Sequence, residues 1–183
     1  MDIVEVQTDI HHFSHQHSLK LISYPNSNTE KILCSACTKE AKGWSYTCET
    51  CKYCLHKACS KLPQKLYHGC DRKHALVLLA SPAYGDGKFV CNACGASGTA
   101  FCYHCAQCQL DLHPVCAFMD PSLLSKAHDH ALDLCYEPPY ENKLFSCDLC
   151  EKPGSDHWLY RCGKCEFDVH LKCAKATQEH SSM

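Results

Sequence analysis

The chain has 183 residues, a net charge of -2, and 19 Cys and 14 His against six Phe and two Trp. So small a net charge argues against a strong generic duplex binder, because affinity of that kind rests on neutralising phosphates, and no stretch approaches the ~20 apolar residues of a membrane span. Large apolar side chains are too few to stabilise small domains unaided, so a staple of metal or disulfide is required.

In chain order, the opening Met1-Asp2-Ile3-Val4-Glu5 has no basic start and no apolar run, so a secretory leader is not expected. We therefore expect an intracellular protein, of cytoplasm or nucleus and not secreted, in a reducing compartment where thiols bind metal rather than pair. Residues 1–14 are polar and mixed, an arm or a first edge strand, with His11 and His12 as solvent-exposed spectators.

Three repeats follow, assigned to residues 15–70, 71–128 and 129–183. Each opens on a His ahead of alternating Leu: His17-Ser18-Leu19-Lys20-Leu21, His74-Ala75-Leu76-Val77-Leu78 and His130-Ala131-Leu132-Asp133-Leu134. That alternation predicts a short half-buried strand. Turn-formers come next, Pro25-Asn26-Ser27-Asn28, Pro82 to Gly87 and Pro138-Pro139-Tyr140, each reversing into a second short strand. A first Cys pair stands seventeen positions after each leading His: Cys34/Cys37, Cys91/Cys94 and Cys147/Cys150. An aromatic-x-aromatic-x-Cys approach then leads to the second pair, at Trp44 and Tyr46, Phe101 and Tyr103, and Trp158 and Tyr160. Alternate aromatics can form a stacking platform for bases, but here they are read as miniature core and metal cover. The second pairs lead into His-x2-Cys: Cys48, Cys51, His56 and Cys59; Cys105, Cys108, His113 and Cys116; Cys162, Cys165, His170 and Cys173. A short helix is predicted after the final Cys of each repeat, as in His56 to Lys61 and His170 to Ala176, with Pro63 and Pro121 at its end or just past it.

Thiolates and imidazoles at these spacings select zinc in closed four-ligand sites. Each repeat supplies seven such residues, counting the leading His17, His74 or His130, whereas two tetrahedral sites need eight. An eighth is sought beyond the His-x2-Cys: His68 in the first repeat, with Cys70 as its rival, His128 in the second and His180 in the third. About six zinc ions per chain would result. His128 sits awkwardly in this scheme, since residues two apart on a strand point to one face, yet His128 and His130 are assigned to different repeats. Cys54, Cys70, Cys102 and Cys135 have no equivalent between copies and are read as free thiols.

The order His, Cys-x2-Cys, Cys-x2-Cys-x4-His-x2-Cys and one further ligand resembles the zinc domain first known from protein kinase C. With the His-x-Leu opening, the central loop of ten or eleven residues and the aromatic-x-aromatic-x-Cys entry, the chain resembles its divergent plant version, the DC-one or Cys/His-rich domain, in three tandem copies from about residue 15. The resemblance implies a small α+β fold, zinc-stapled, of short strands and hairpins with one short C-terminal helix around two interleaved zinc sites. It pairs His17, Cys48, Cys51 and His68 in one site and Cys34, Cys37, His56 and Cys59 in the other. In the second repeat it pairs His74, Cys105, Cys108 and His128, then Cys91, Cys94, His113 and Cys116. In the third it pairs His130, Cys162, Cys165 and His180, then Cys147, Cys150, His170 and Cys173.

The parent family binds diacylglycerol between two apolar loops. The corresponding loops here, residues 38–47, 95–104 and 151–161, carry Lys39, Glu40, Lys42, Lys152 and Asp156, whereas an inserting tip should be apolar. Diacylglycerol binding and stable membrane insertion are therefore not expected. No His-Glu-x-x-His or comparable open-site signature is present, so no enzyme is expected. A RING-type ubiquitin ligase places Cys-x-His in the middle, which is the wrong order. Only the first repeat, with Lys39, Lys42, Lys52, Lys57, Lys61 and Lys65, offers a basic face for nucleic acid. The reading is a non-catalytic tandem zinc module that binds a protein partner in intracellular signalling or in stress and defence responses. A nucleic-acid-binding regulator is the alternative.

Overall fold

The alternating Leu of each repeat does form a strand, and each strand becomes a central member of a four-stranded antiparallel sheet. The computed structural model describes residues 9–24 and 31–178; the turn at Pro25 to Asn28 and His180 lie outside them. The first sheet has the order β1 (Asp9–Ile10), β2 (Leu19–Tyr24), β3 (Gly43–Thr47) and β4 (Cys54–His56). In the second, β5 (Lys65–His68), β6 (Asp71–Leu79), β9 (Cys102–Cys105) and β10 (Leu110–Leu112) follow one another. The third runs β11 (Ser122–Ser125), β12 (His128–Cys135), β15 (Leu159–Cys162) and β16 (Phe167–His170). Two-stranded ribbons intervene, β7 (Phe89–Val90) with β8 (Ser97–Gly98) and β13 (Phe145–Ser146) with β14 (Pro153–Gly154). The first repeat has a single Leu33–Glu40 bridge at the equivalent place.

Two compact units emerge from this chain: Met1–Phe89 with Gly98–Val115, and Val90–Ser97 with Cys116–Met183. The arm contributes an edge strand, Asp9–Ile10 against Leu19–Lys20. The expected boundaries at 70/71 and 128/129 are each displaced from the sheets. Lys65 pairs with Val77 and His68 with Asp71, so β5 belongs to the second sheet. Ser122 pairs with Asp133, so β11 belongs to the third. Each leading strand would otherwise present an open row of N–H and C=O groups on that side, and the hairpin closes it. Lys65 consequently leaves the basic face assigned to the first repeat.

Inward positions carry the core. Leu19, Leu55, Leu76, Leu112, Leu132 and Leu159 are fully buried. Five of the six aromatics before the second Cys pairs are buried with them: Tyr46, Phe101, Tyr103, Trp158 and Tyr160. The hydroxyls of Tyr103 and Tyr160 donate to the carbonyls of Pro63 (2.8 Å) and Asp120 (2.6 Å), which tethers the segment entering β5 or β11. Phe13 packs on Phe101 and Tyr136 on Trp158. Trp44 departs from the expectation of core, because it stays 59% exposed. Helix is scarce: a 3-10 turn at Cys59–Lys61, α1 (Pro114–Ala117) and α2 (Leu171–Thr177) follow the three His ligand positions. No helix among the described residues is long and apolar enough to cross a membrane.

Candidate metal centres

Each first Cys pair sits in a turn built from the same two hydrogen bonds. Cys34 N–H donates to Lys39 O and Thr38 N–H to Cys34 O; Cys91 and Gly95 repeat the pattern with Ala96 and Cys91, and Cys147 and Glu151 with Lys152 and Cys147. The residue after the second Cys must be left-handed: Thr38 has φ 60°, Gly95 70° and Glu151 56°. Only glycine takes that region freely, and a β-branched Thr there is strained. This turn aims both sulfurs to one side, where the His-x2-Cys supplies the other two donors. Cys34, Cys37, His56 and Cys59 converge in this way, as do Cys91, Cys94, His113 and Cys116, and Cys147, Cys150, His170 and Cys173, with all donor atoms of a group within 4.8 Å of one another.

The imidazoles are held from behind. His56 Nε2 lies 3.0 Å from Glu40 O, leaving Nδ1 3.4 Å from Cys37 Sγ and 3.8 Å from Cys59 Sγ. His170 repeats this, with Nε2 3.3 Å from Pro153 O and Nδ1 3.4 and 3.9 Å from Cys150 and Cys173 Sγ. A carbonyl on the far nitrogen fixes the tautomer that presents a lone pair to a metal. With Zn–S near 2.3 Å and Zn–N near 2.05 Å, the S···N edge of a tetrahedral site is about 3.6 Å, so the observed separations fit zinc. Backbone N–H groups of His56 and His170 also point at Cys34 and Cys147 Sγ, at 3.4 and 3.5 Å. Hydrogen bonding to Cys59 and to these backbone groups pulls the Cys34 thiol well below its ordinary range.

The second kind of centre differs from expectation in its fourth donor. His17, Cys48 and Cys51 are joined by His15, and His130, Cys162 and Cys165 by His128. His17 Nδ1 lies 3.6 and 3.4 Å from Cys48 and Cys51 Sγ, and His130 Nδ1 3.3 Å from Cys165 Sγ. Beside His128, the Cys162 thiol falls to about 7. His15 Nε2 and His128 Nε2 are buried with no hydrogen-bond partner among the described residues. A buried donor atom left without a partner is costly, and an ion at the cluster would satisfy it. Each of these rings stacks on an aromatic five residues after the first Cys of the second pair, His15 on Tyr53 and His128 on Phe167, with centroids 4.3 and 4.4 Å apart.

Two of the three expected closing ligands, His68 and His128, are therefore not in the clusters assigned to them, and the third, His180, lies outside the described residues. His68 lies on β5, its Nδ1 2.9 Å from Cys70 Sγ, and is absent from the His15 cluster. His128 serves the third repeat beside His130, not the second beside His74. The physical reason is the one-face rule for strands: His-x-His at the start of a strand places both rings together, and no return of the chain is needed. His-x-His was the signal in the sequence that counting forward from the last Cys missed.

The second repeat has no His two positions before His74. Instead, the buried Asp71 carboxylate lies 3.3 Å from His74 Nδ1 and within hydrogen-bonding reach of the Cys108 and Cys105 thiols, while His74 Nδ1 is 3.2 Å from Cys108 Sγ. Those contacts, with Cys108 foremost, hold the Asp71 carboxyl well below the usual carboxylate range. A sixth cluster is thereby formed by Asp71, His74, Cys105 and Cys108, with an oxygen donor that cysteine and histidine counting does not reveal.

The unmatched cysteines find other roles. Position 54 is occupied in the other copies by Asp111 and Asp168, each in a buried network with a strand partner and a loop Tyr. Asp111 accepts from Tyr84 (2.5 Å) and pairs with His104 (2.9 Å); Asp168 accepts from Tyr140 and from Arg161 (2.7 Å). In the first copy the two strand places hold a neutral pair, Thr47 donating its hydroxyl to Cys54 Sγ at 3.6 Å, and a tyrosine reaches it from a different place, Tyr24 at the end of β2, 2.9 Å from Thr47. Burial pushes Cys54 and Cys135 up, Cys70 to about 11 and Cys102 to about 12, so all four are poor nucleophiles at neutral pH.

Known families agree with this geometry: the C1 domain matches three times, over residues 13–60, 70–117 and 126–174. Comparison with curated proteins and with solved structures gave no match. Matched over most of its length by a family whose Cys/His clusters recur here in each repeat, the chain belongs to the C1 domain family.

Proposed function

We propose that this protein is a non-catalytic module of three zinc-stapled domains, holding about six ions, that recognises a protein partner in intracellular signalling or in stress and defence responses. The observation that carries the non-catalytic reading is that the clusters each bring four protein donors together. A closed tetrahedral ion has no position for a substrate or an activated water. When bound, zinc supplies stability rather than chemistry. His15, His17, His56 and their counterparts orient the site, and the buried leucines and aromatics exclude water from it. Recognition falls to what remains exposed, and Trp44, 59% exposed where its counterparts are buried, is the anchor we assign to it. Exposed tryptophan is over-represented among the residues that carry protein interfaces.

The test is capture from cell extract by the native chain, by Trp44→Ala, and by His56→Ala/His113→Ala/His170→Ala, with folding followed by circular dichroism. We expect a discrete protein retained by the native chain, weakened by Trp44→Ala with zinc content unchanged, and lost in the triple variant. Equal retention by Trp44→Ala removes the assigned surface, and hydrolytic or ubiquitin-transfer activity in the zinc-loaded protein removes the non-catalytic reading. A second reading, nucleic-acid binding, is favoured by the exposure of Lys39, Lys42, Lys52, Lys57 and Lys61 on the first repeat. It requires that replacing these lysines in pairs lower affinity and flatten its salt dependence.

A further inference from the structure

Among the described residues, five of the six clusters are made of sulfur and imidazole nitrogen alone, and the sixth is not. His15 and His128 each complete their site from two positions before the leading His, packed flat on Tyr53 or Phe167. In the second repeat the place of that aromatic is taken by Leu110 and the place of that His by Arg72, so neither ring of the pair is present. Asp71 fills the gap from one residue further back. Its Oδ1 is already engaged by the backbone N–H groups of Lys73 (3.1 Å) and His74 (3.0 Å), which leaves Oδ2 to face the cluster. Cys108 is exposed and His74 half-exposed, so solvent reaches this donor set, as it reaches Cys165 and His130 in the third repeat; the carboxylate is what distinguishes it.

Carboxylate oxygen is a harder donor than imidazole and suits zinc less well, while thiolate and imidazole select it. Two thiolates, one imidazole and one carboxylate leave a bound divalent ion with one excess negative charge, as the three clusters of three thiolates and one imidazole do, so what sets this site apart is its oxygen donor and not its charge. We infer that Asp71, His74, Cys105 and Cys108 form an exchangeable zinc site, which gives up its ion before the other five and makes the second repeat the one that responds to zinc supply. The inference rests on the zinc reading of the clusters and adds to it a rank order among them.

The test uses the full chain, zinc-loaded and reduced, mixed with a chromogenic chelator in the presence of a thiol-alkylating reagent. Even outer-shell changes shift metal affinity by about 10–100-fold, so a first-shell change should make one ion per chain leave at least roughly tenfold faster than the rest. Mass spectrometry of the protein quenched after that phase should find Cys105 and Cys108 alkylated and the other cluster cysteines protected. Asp71→Asn keeps the acceptor for the two backbone N–H groups but removes the charged ligand. Made together with Cys70→Ser, so that the neighbouring thiol cannot substitute, it should bind one ion fewer with an unchanged circular dichroism spectrum. Asp71→His, whose Nδ1 stands as many bonds from the backbone as Oδ2, should slow the fast phase. Release of all ions in a single phase, or early alkylation at any other Cys pair, overturns the inference while leaving zinc binding intact. Failure of the native chain to hold zinc at all would instead overturn the reading on which it rests. Should the Asn variant not fold, the alkylation map of the native chain decides alone.

Discussion

Asp168 shows how much a single position in this chain depends on its neighbours. Its carboxylate is 4% exposed by side chain and is met by Arg161, 14% exposed, with Tyr140 completing the group. Removing one partner of a buried pair strands the other charge and costs about 3–5 kcal/mol. Asp168→Ala should therefore destabilise the third repeat strongly in denaturant titration followed by Trp158 fluorescence. Arg161→Thr/Asp168→Cys, which writes the first repeat's Thr47 and Cys54 into the third, should cost clearly less than Asp168→Ala alone. A double variant as damaging as the single one would mean that the networks are not interchangeable. Because the three copies fold alike, such swaps use residues the architecture already tolerates once.

The ribbons between the main sheets carry a second internal experiment. A Cβ added to Gly98 would stand 2.3 Å from Phe89 Cε1 and 2.8 Å from His113 Nε2, and one added to Gly154 would stand 2.2 Å from Phe145 Cε1. In both places a Phe ring lies against the His ligand, with centroids 4.9 Å apart for Phe89 and His113 and 5.3 Å for Phe145 and His170. The first repeat has Ala41 where these glycines stand, and there Ile32 replaces the Phe, its carbonyl accepting from Ala41 N–H at 2.7 Å. Glycine is thus required by the flat ring and not by the backbone. Gly98→Ala should cost about 1–3 kcal/mol by overpacking, and Phe89→Ile in addition should recover much of that loss, both read as shifts in unfolding midpoint. A double variant no better than Gly98→Ala would point to the His113 contact as the whole cause. The Cys pairs, the His-x2-Cys and the half-buried strands were legible from spacing and alternation, since ligand geometry and pleat both impose fixed periods. What spacing hid was the fourth donor of the interleaved sites: His15 has no histidine counterpart two positions before His74, so a count of repeated ligands passes over it, and Asp71 is of a residue type too common to signal. The allegiance of β5 and β11 was hidden for a different reason, because hairpin pairing is set by the partner strand and leaves little trace in a four-residue segment.

For the whole molecule, the decisive quantity is how little holds the domains together besides the clusters. Among the described residues each main sheet has four strands, and the longest helix has seven residues. In small domains stapled by metal, binding and folding are one event, and the proposed zinc sites make that the expectation for this core. Chelation under reducing conditions should abolish the β-sheet signal in far-ultraviolet circular dichroism and expose the buried cysteines to alkylation, and restored zinc should reverse both. Sheet signal that survives complete metal removal would show that leucine and tyrosine packing suffices.

The strand ahead of each leading His belongs to the sheet that follows it, and this decides where the chain can be divided. A fragment cut at the recurring motif, starting at residue 71 or 129, forfeits β5 or β11 and offers β6 or β12 as a bare border to any passing polypeptide. One cut near Leu62, or just ahead of Asp120, retains that strand together with the carbonyl that receives the hydroxyl of Tyr103 or Tyr160. Portable units of this protein, for grafting or for duplication, are therefore offset from the pattern the eye picks out in its letters.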